Sequence, residues 1–112
     1  MNTPVENTVL VETIRSALRD VYDPEFGVSI EDMGLIYDIS VDHGRAAITM
    51  TLTSMYCPAG DVILAGVKAA TEKIPGIHQA DIALVWEPVW SAERLSPLAR
   101  EQLGWDVPQT DA

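Results

Sequence analysis

One helical stripe set between two β patterns constrains this chain more than any other feature. Ala59, Val62, Ile63, Gly66, Val67, Ala70 and Ile74 recur at i, i+3, i+4, i+7, i+8, i+11 and i+15, the spacing of one helix face. Pro58 suits the first helical position, where the missing N–H is harmless, and Pro75-Gly76 stops the helix. Before the stripe, residues 35–41 read as a strand with Leu35, Tyr37, Ile39 and Val41 on one face; His43-Gly44 makes a tight turn, and residues 45–52 return. After it, residues 77–85 read as a third strand with Ile82, Leu84 and Trp86 facing one way. A helix joining two strands of one sheet carries the chain back over it, so the third strand runs parallel to the second.

The remaining elements complete the pattern. Leu10, Ile14, Ala17, Leu18 and Val21 place a first helix at about residues 8–21. Thr3-Pro4-Val5-Glu6 offers an earlier start as a capping box, Asn7 or Thr8 a later one; Pro24 ends the helix by excluding Asp23 from helical geometry. Ser96-Pro97 caps a short last helix that closes before Gly104. The expected fold is an α+β two-layer sandwich in the order α-β-β-α-β-α, a small mixed sheet with its helices on one face. The 112 residues and 12.2 kDa fit a single domain over residues 1–112, with a core at about 8–105 and loose ends at 1–6 and 106–112.

Composition narrows the function classes. An apolar content of 47 % and a mean hydropathy of +0.10 exclude a disordered chain, and no apolar run approaches the roughly 18–20 residues of a membrane span. A net charge of −10 repels phosphate backbones and anionic lipid, so neither nucleic acid nor a membrane is an expected partner. The single cysteine cannot form an internal disulfide. With no charged-then-apolar leader at residues 1–11, the expected compartment is the cytoplasm.

Topology says which loops should meet. The start of the first strand lies beside the end of the second, and the parallel third strand ends there too. Asp23-Pro24-Glu25, the loop from Thr53 and Ser54 through Cys57 to Pro58, and Trp86-Glu87-Pro88 are therefore expected at one end of the sheet. Two readings are open for Cys57. As the N-cap of the second helix it would be held toward its thiolate by the helix dipole and free amides; as a lone cysteine it would be a small buried apolar residue. Neither histidine reaches it. His43 at the hairpin tip is about 26 Å away, counted along eight strand residues. His78 is about 24 Å away, beyond a sixteen-residue helix. Cysteine-hydrolase chemistry is thereby disfavoured, and no catalytic residue is assigned.

Seven acids and no Lys or Arg lie between Asp20 and Gly44, mostly as a solvated face. Asp23 and Glu25 stand apart because their loop points at Cys57, and Glu87 can join them. Hard oxygen ligands beside one soft thiolate suit iron or zinc held transiently, yet a stable cluster takes four thiolates. Asp23 also has a structural reading, accepting hydrogen bonds from the turn amides after Pro24. Trp86, Trp90 and Trp105 read as core or lid, with Trp86 packed on the sheet.

Three separated segments resemble a known family. Asp23-Pro24-Glu25-Phe26-Gly27, followed by Asp32-Met33-Gly34-Leu35 running into a strand, is similar to the opening signature of a small iron–sulfur cluster assembly family. That family includes SufT, PaaD and the eukaryotic cytosolic iron–sulfur targeting subunit. Thr51-Leu52-Thr53-Ser54 with Cys57-Pro58 resembles its cysteine loop, and Trp86-Glu87-Pro88-Val89-Trp90-Ser91 its C-terminal block. The resemblance implies a non-enzymatic carrier or adapter in iron–sulfur protein maturation. It points to Cys57 as ligand, with Asp23, Glu25 and Thr53 beside it and an iron–sulfur cluster or iron as transient cargo. The implied partners are assembly machinery or client apoproteins; a homodimer is open.

Two departures stand out. Ser54-Met55-Tyr56-Cys57 lacks the proline usual in this loop, and the chain ends at Ala112 without the cysteine-rich extension of PaaD-type members. SufT-like assembly is therefore expected over a PaaD-like subunit supporting an aromatic-degradation oxygenase. The alternative from another class is a protein-interaction module without metal chemistry, docking through the acidic face and the Trp-rich segment.

Overall fold

The computed structural model describes residues 4–56 and 58–104, apart from the side chains of residues 4–6. Helix α1 (Pro4–Leu18) leads into a two-stranded ribbon, β1 (Tyr22–Asp23) and β2 (Val28–Ser29). The hairpin β3 (Ile36–Asp42) and β4 (Arg45–Met50), the crossover helix α2 (Gly60–Glu72) and strand β5 (Gln79–Leu84) follow. A 3-10 turn (Ala92–Arg94) and α3 (Pro97–Leu103) complete the described chain. The sheet order is β3-β4-β5, with β3 antiparallel and β5 parallel to β4, as the crossover demands. His43 and Gly44 both take positive φ, 52° and 79°, the two-residue hairpin turn that matches strand twist.

Alternation along the strands turns Ile39, Val41, Ala46, Ile48, Met50 and Ala80 into the core and leaves Asp38, Ser40, Asp42, Arg45 and Ala47 exposed. Ile14 and Leu18 of α1 and Ile63 and Val67 of α2 close that core. α3 ends as expected: Ser96 Oγ accepts from the Ala99 N–H at 3.0 Å, and Gly104 turns left-handed at φ 68°.

The structure corrects several of these expectations. α1 begins at Pro4, the earlier of its two expected starts, so residues 4–6 are helical rather than loose. It ends at Leu18, short of Pro24, because the N–H groups of Asp20 and Val21 bond back three residues to Ala17 and Leu18. Ile30 N–H then takes the Val21 carbonyl at 2.9 Å and draws the chain into the ribbon, which periodicity over so few residues did not reveal.

α2 begins at Gly60 with Ala59 as N-cap, so neither is Cys57 the cap nor Pro58 the first helical residue. The first helical bond runs from Ile63 N–H to Ala59 O at 2.9 Å. Gly60 is buried where an added Cβ would lie 3.0 Å from Leu52 Cδ1, so the helix meets the sheet at the residue without a side chain. The buried face is rotated from the expected stripe: Gly60, Ile63, Val67 and Thr71 are buried, whereas Val62 is 66 % exposed. Trp86 lies past the last core position of β5 and is exposed rather than packed on the sheet. Cys57, Trp105 and the expected tail at 106–112 lie outside the described residues.

Candidate functional site

The site is built where β4 and β5 end. After Met50, Thr51 continues the ladder by donating its N–H to Leu35 O at 2.9 Å, and Val85 N–H reaches Met50 O at 2.8 Å. Both loops therefore leave the sheet side by side. Thr53, Ser54 and Met55 on one side, and Trp86, Glu87, Val89 and Trp90 on the other, line a cavity of about 300 Å³ floored by Leu52.

Each wall is held by its own bonds. Ser54 Oγ accepts from the Tyr56 N–H at 3.1 Å, a hydroxyl turn that shapes the loop entering position 57. On the other wall, Tyr37 Oη donates to Pro88 O at 2.7 Å, and Trp90 Nε1–H donates to Met33 O at 2.7 Å. The Arg94 guanidinium sits 4.6 Å from the Tyr37 ring centroid and braces that tyrosine. Trp90 is thus partly buried against the core while also lining the cavity. Met55, Tyr56 and Val89 are 64 %, 85 % and 70 % exposed, so the rim is apolar and open to solvent. Sequence reasoning missed this rim. Its signal was present: apolar residues in a loop, outside any periodic pattern.

Asp23 is buried at the end of β1. Its Oδ1 accepts from the Glu25 N–H at 2.8 Å, which is the turn role expected of it. Gly27 N–H closes the turn on the Asp23 carbonyl at 2.7 Å, with Gly27 at φ 68°. Asp23 Oδ2 is buried without a hydrogen-bond partner. Burial, reinforced by the Glu25 charge, pushes the carboxyl pKa up, against the lowering pull of the Glu25 and Phe26 amides. Pro24 and Glu25 occupy the exposed part of this turn.

The structure thus brings Thr53, Ser54, Trp86 and Glu87 to one cavity, while Asp23, Pro24 and Glu25 form a separate turn and are not among its lining residues. Pro58 is an exposed turn residue before Ala59, which has no side chain to cap the leading amides of α2. Of the other acids, Glu31 is partly buried. It pairs with Arg15 at 3.3 Å, and its Oε2 is buried without a partner. Both histidines lie at the opposite end of the sheet. His43 pairs with Asp42 at 2.8 Å, and His78 packs on Gly44, to whose carbonyl its N–H donates at 2.7 Å. Among the described residues, no three His, Cys, Asp or Glu side chains are grouped to hold a metal ion, and no helix is long and apolar enough to cross a membrane.

The chain matches the family model described as iron-sulfur cluster assembly protein over residues 11–84. It is 43 % identical over 96 residues to the Fe-S protein maturation auxiliary factor YitW of Bacillus subtilis, covering 85 % of this chain and 94 % of that one. It is 41 % identical over 85 residues to the Fe-S protein maturation auxiliary factor SufT of Staphylococcus aureus, covering 75 % and 97 %. A crystal structure of a domain of unknown function, DUF59, from Bacillus anthracis superposes with a TM-score of 0.87 at 35 % identity, over 93 % of this chain and all of that one. Order of elements, sheet topology and sequence agree: this chain belongs to the iron–sulfur cluster assembly protein family, nearer its SufT-type than its PaaD-type members.

Proposed function

We propose that this chain is a carrier or adapter that passes an iron–sulfur cluster, or iron, to client apoproteins in the cytoplasm, with Cys57 as its thiolate ligand. In this reading Thr53 and Ser54 shape the loop, and Asp23 and Glu25 offer hard oxygen from a separate turn outside the cavity. The observation that carries it is the paired exit of the two loops. The loop holding position 57 leaves β4 beside an apolar, solvent-open cavity whose far wall is fastened at Tyr37–Pro88 and Trp90–Met33. Such a surface suits a partner protein that must approach a thiol closely.

The donor set fits a shared cargo rather than a resident one. One thiolate cannot complete a cluster that takes four, so a second protein or an external thiol must supply the rest. The corrected helix start alters the reason for an ionised thiol without removing it. Cys57 stands two residues before an N-cap that has no capping side chain, so the α2 amides and dipole still favour negative charge nearby. The buried, unpartnered Asp23 Oδ2 is a carboxylate oxygen left for a ligand the turn itself does not provide. With the relatives named as maturation auxiliary factors, and both histidines beyond reach, the role is delivery rather than catalysis.

The test is anaerobic reconstitution of the wild-type chain with iron and sulfide, read by absorbance and native mass, beside Cys57→Ala. Iron bound by the wild type and lost in the variant is the expected result; equal binding by both removes Cys57 as ligand. The exposed Met55, Tyr56 and Val89 favour a second reading, a docking module without metal chemistry. There, Cys57→Ser in cells leaves iron–sulfur enzyme activities intact.

A further inference from the structure

We propose that β5 is a self-pairing edge, and that two copies of this chain join through it into one continuous six-stranded sheet. The ladder settles which backbone groups of β5 face outward. Val85 N–H bonds to Met50 O, so odd-numbered residues of the strand face β4 and the N–H and C=O of Ala80, Ile82 and Leu84 point away from it. At Ala80 the molecule blocks its own edge. Glu72 Oε2 accepts the Ala80 N–H at 3.0 Å, Lys68 Nζ donates to the Ala80 carbonyl at 2.7 Å, and the two side chains pair at 2.9 Å. Charged cover of this kind is how edge strands avoid pairing. Among the described residues, Ile82 and Leu84 have no such cover. Beyond β5 the chain crosses the end of the sheet to Tyr37 and Met33.

The strand is its own complement in one register. Two antiparallel copies that start past the Lys68–Glu72 clamp set Ile82 against the partner's Leu84, and Leu84 against the partner's Ile82, each pair exchanging two backbone hydrogen bonds. Ala83 then faces the partner's Ala83 on the axis, and Asp81 faces the partner's Val85, so no like charges oppose each other. Asp81 is the only charged residue between Ala80 and Trp86, although the chain carries a net charge of −10. Local neutrality is what an isologous contact between acidic subunits needs. Apolar surface is present to be covered. A groove of about 400 Å³ between α2 and β5 is lined by Leu64, Ala65, Ala80 and Ile82, with Lys68 and Asp81 as its charged members, and Ala80 is the position that faces the partner's Trp86.

The test uses the full chain. Sedimentation velocity should show a monomer–dimer equilibrium that strengthens as salt rises from about 0.05 to about 0.5 M, because screening relieves the repulsion of two acidic bodies. Leu84→Pro removes an outward N–H and leaves the bonds to β4, so the dissociation constant should rise at least about tenfold. Register is read in a Cys57→Ser background. Ala83→Cys should oxidise to a disulfide-linked dimer, since directly opposed non-hydrogen-bonded residues lie about 4.5 Å apart at Cα, within disulfide reach. Asp81→Cys, which faces the partner's Val85 in this register, should not cross-link. A wild type that is monomeric up to millimolar concentration overturns the proposal, and so does an Asp81→Cys variant that cross-links as fast as Ala83→Cys. The cross-linking arm stands even if Leu84→Pro fails to fold.

Discussion

Trp90 donates its indole N–H to the carbonyl of Met33 at 2.7 Å, joining the loop after β5 to the segment before β3 across 57 residues of sequence. The bond holds one wall of the cavity next to position 57. Trp90→Phe keeps most of the ring and leaves the carbonyl unpaired, so urea unfolding should show a loss of about 1 kcal/mol. Trp90→Ala also removes the packing and should cost about 3 kcal/mol. Equal stability of wild type and Trp90→Phe would show that this bond does not hold the wall.

Gly34 sits at φ +74° with the Arg94 backbone pressed against it, and an added Cβ would lie 2.7 Å from Arg94 Cβ. Gly34→Ala therefore meets both a left-handed backbone and a neighbour that cannot retreat. The expected loss is about 2–4 kcal/mol, measured by denaturant unfolding. Gly27, at φ 68° with open space around it, is the control: Gly27→Ala should cost only the backbone strain of about 1–2 kcal/mol.

Asp23 and Glu72 should respond to acid in opposite senses. Burial raises the Asp23 pKa above its unfolded value of 3.8, so its protonated form is favoured in the folded protein. Its contribution to stability is complete below 3.8 and is lost as pH rises through the raised folded pKa. The stability of Asp23→Asn relative to wild type should accordingly climb as pH rises through that window and then level. The Lys68 ammonium and the Ala80 N–H lower the Glu72 pKa from 4.5, so its contribution is present above 4.5 and lost as pH falls through the lower folded value. Glu72→Gln should flatten that acid limb. Urea titrations between pH 3 and 7 check both signs, and a parallel shift of the two variants contradicts the assignment.

Two surface residues separate ligand binding from delivery. Trp86→Ala with Val89→Ala removes exposed apolar surface from the cavity wall and touches no proposed ligand. The double variant should take up iron and sulfide like the wild type yet transfer them to an apoprotein about tenfold more slowly or worse. Transfer at the wild-type rate would leave the apolar rim without a role in delivery.

Much of this molecule was legible in one dimension because short-range physics sets it. A stripe at helical spacing must bury one face, a His-Gly pair must turn, and a helix between two strands must lay the second beside the first in parallel. The order of the main elements, the mixed sheet and the meeting of the Thr53 and Trp86 loops follow from those rules. Contacts between distant segments decided the rest. Gly60 meets Leu52 where α2 starts, two residues past Pro58, the bond from Ile30 to Val21 made the β1–β2 ribbon, and burial left Asp23 Oδ2 without a partner while Oδ1 holds its turn. Each depends on which surfaces meet after the chain has crossed over. Local spacing cannot encode that, because the energy of a close contact or a buried oxygen belongs to two segments at once.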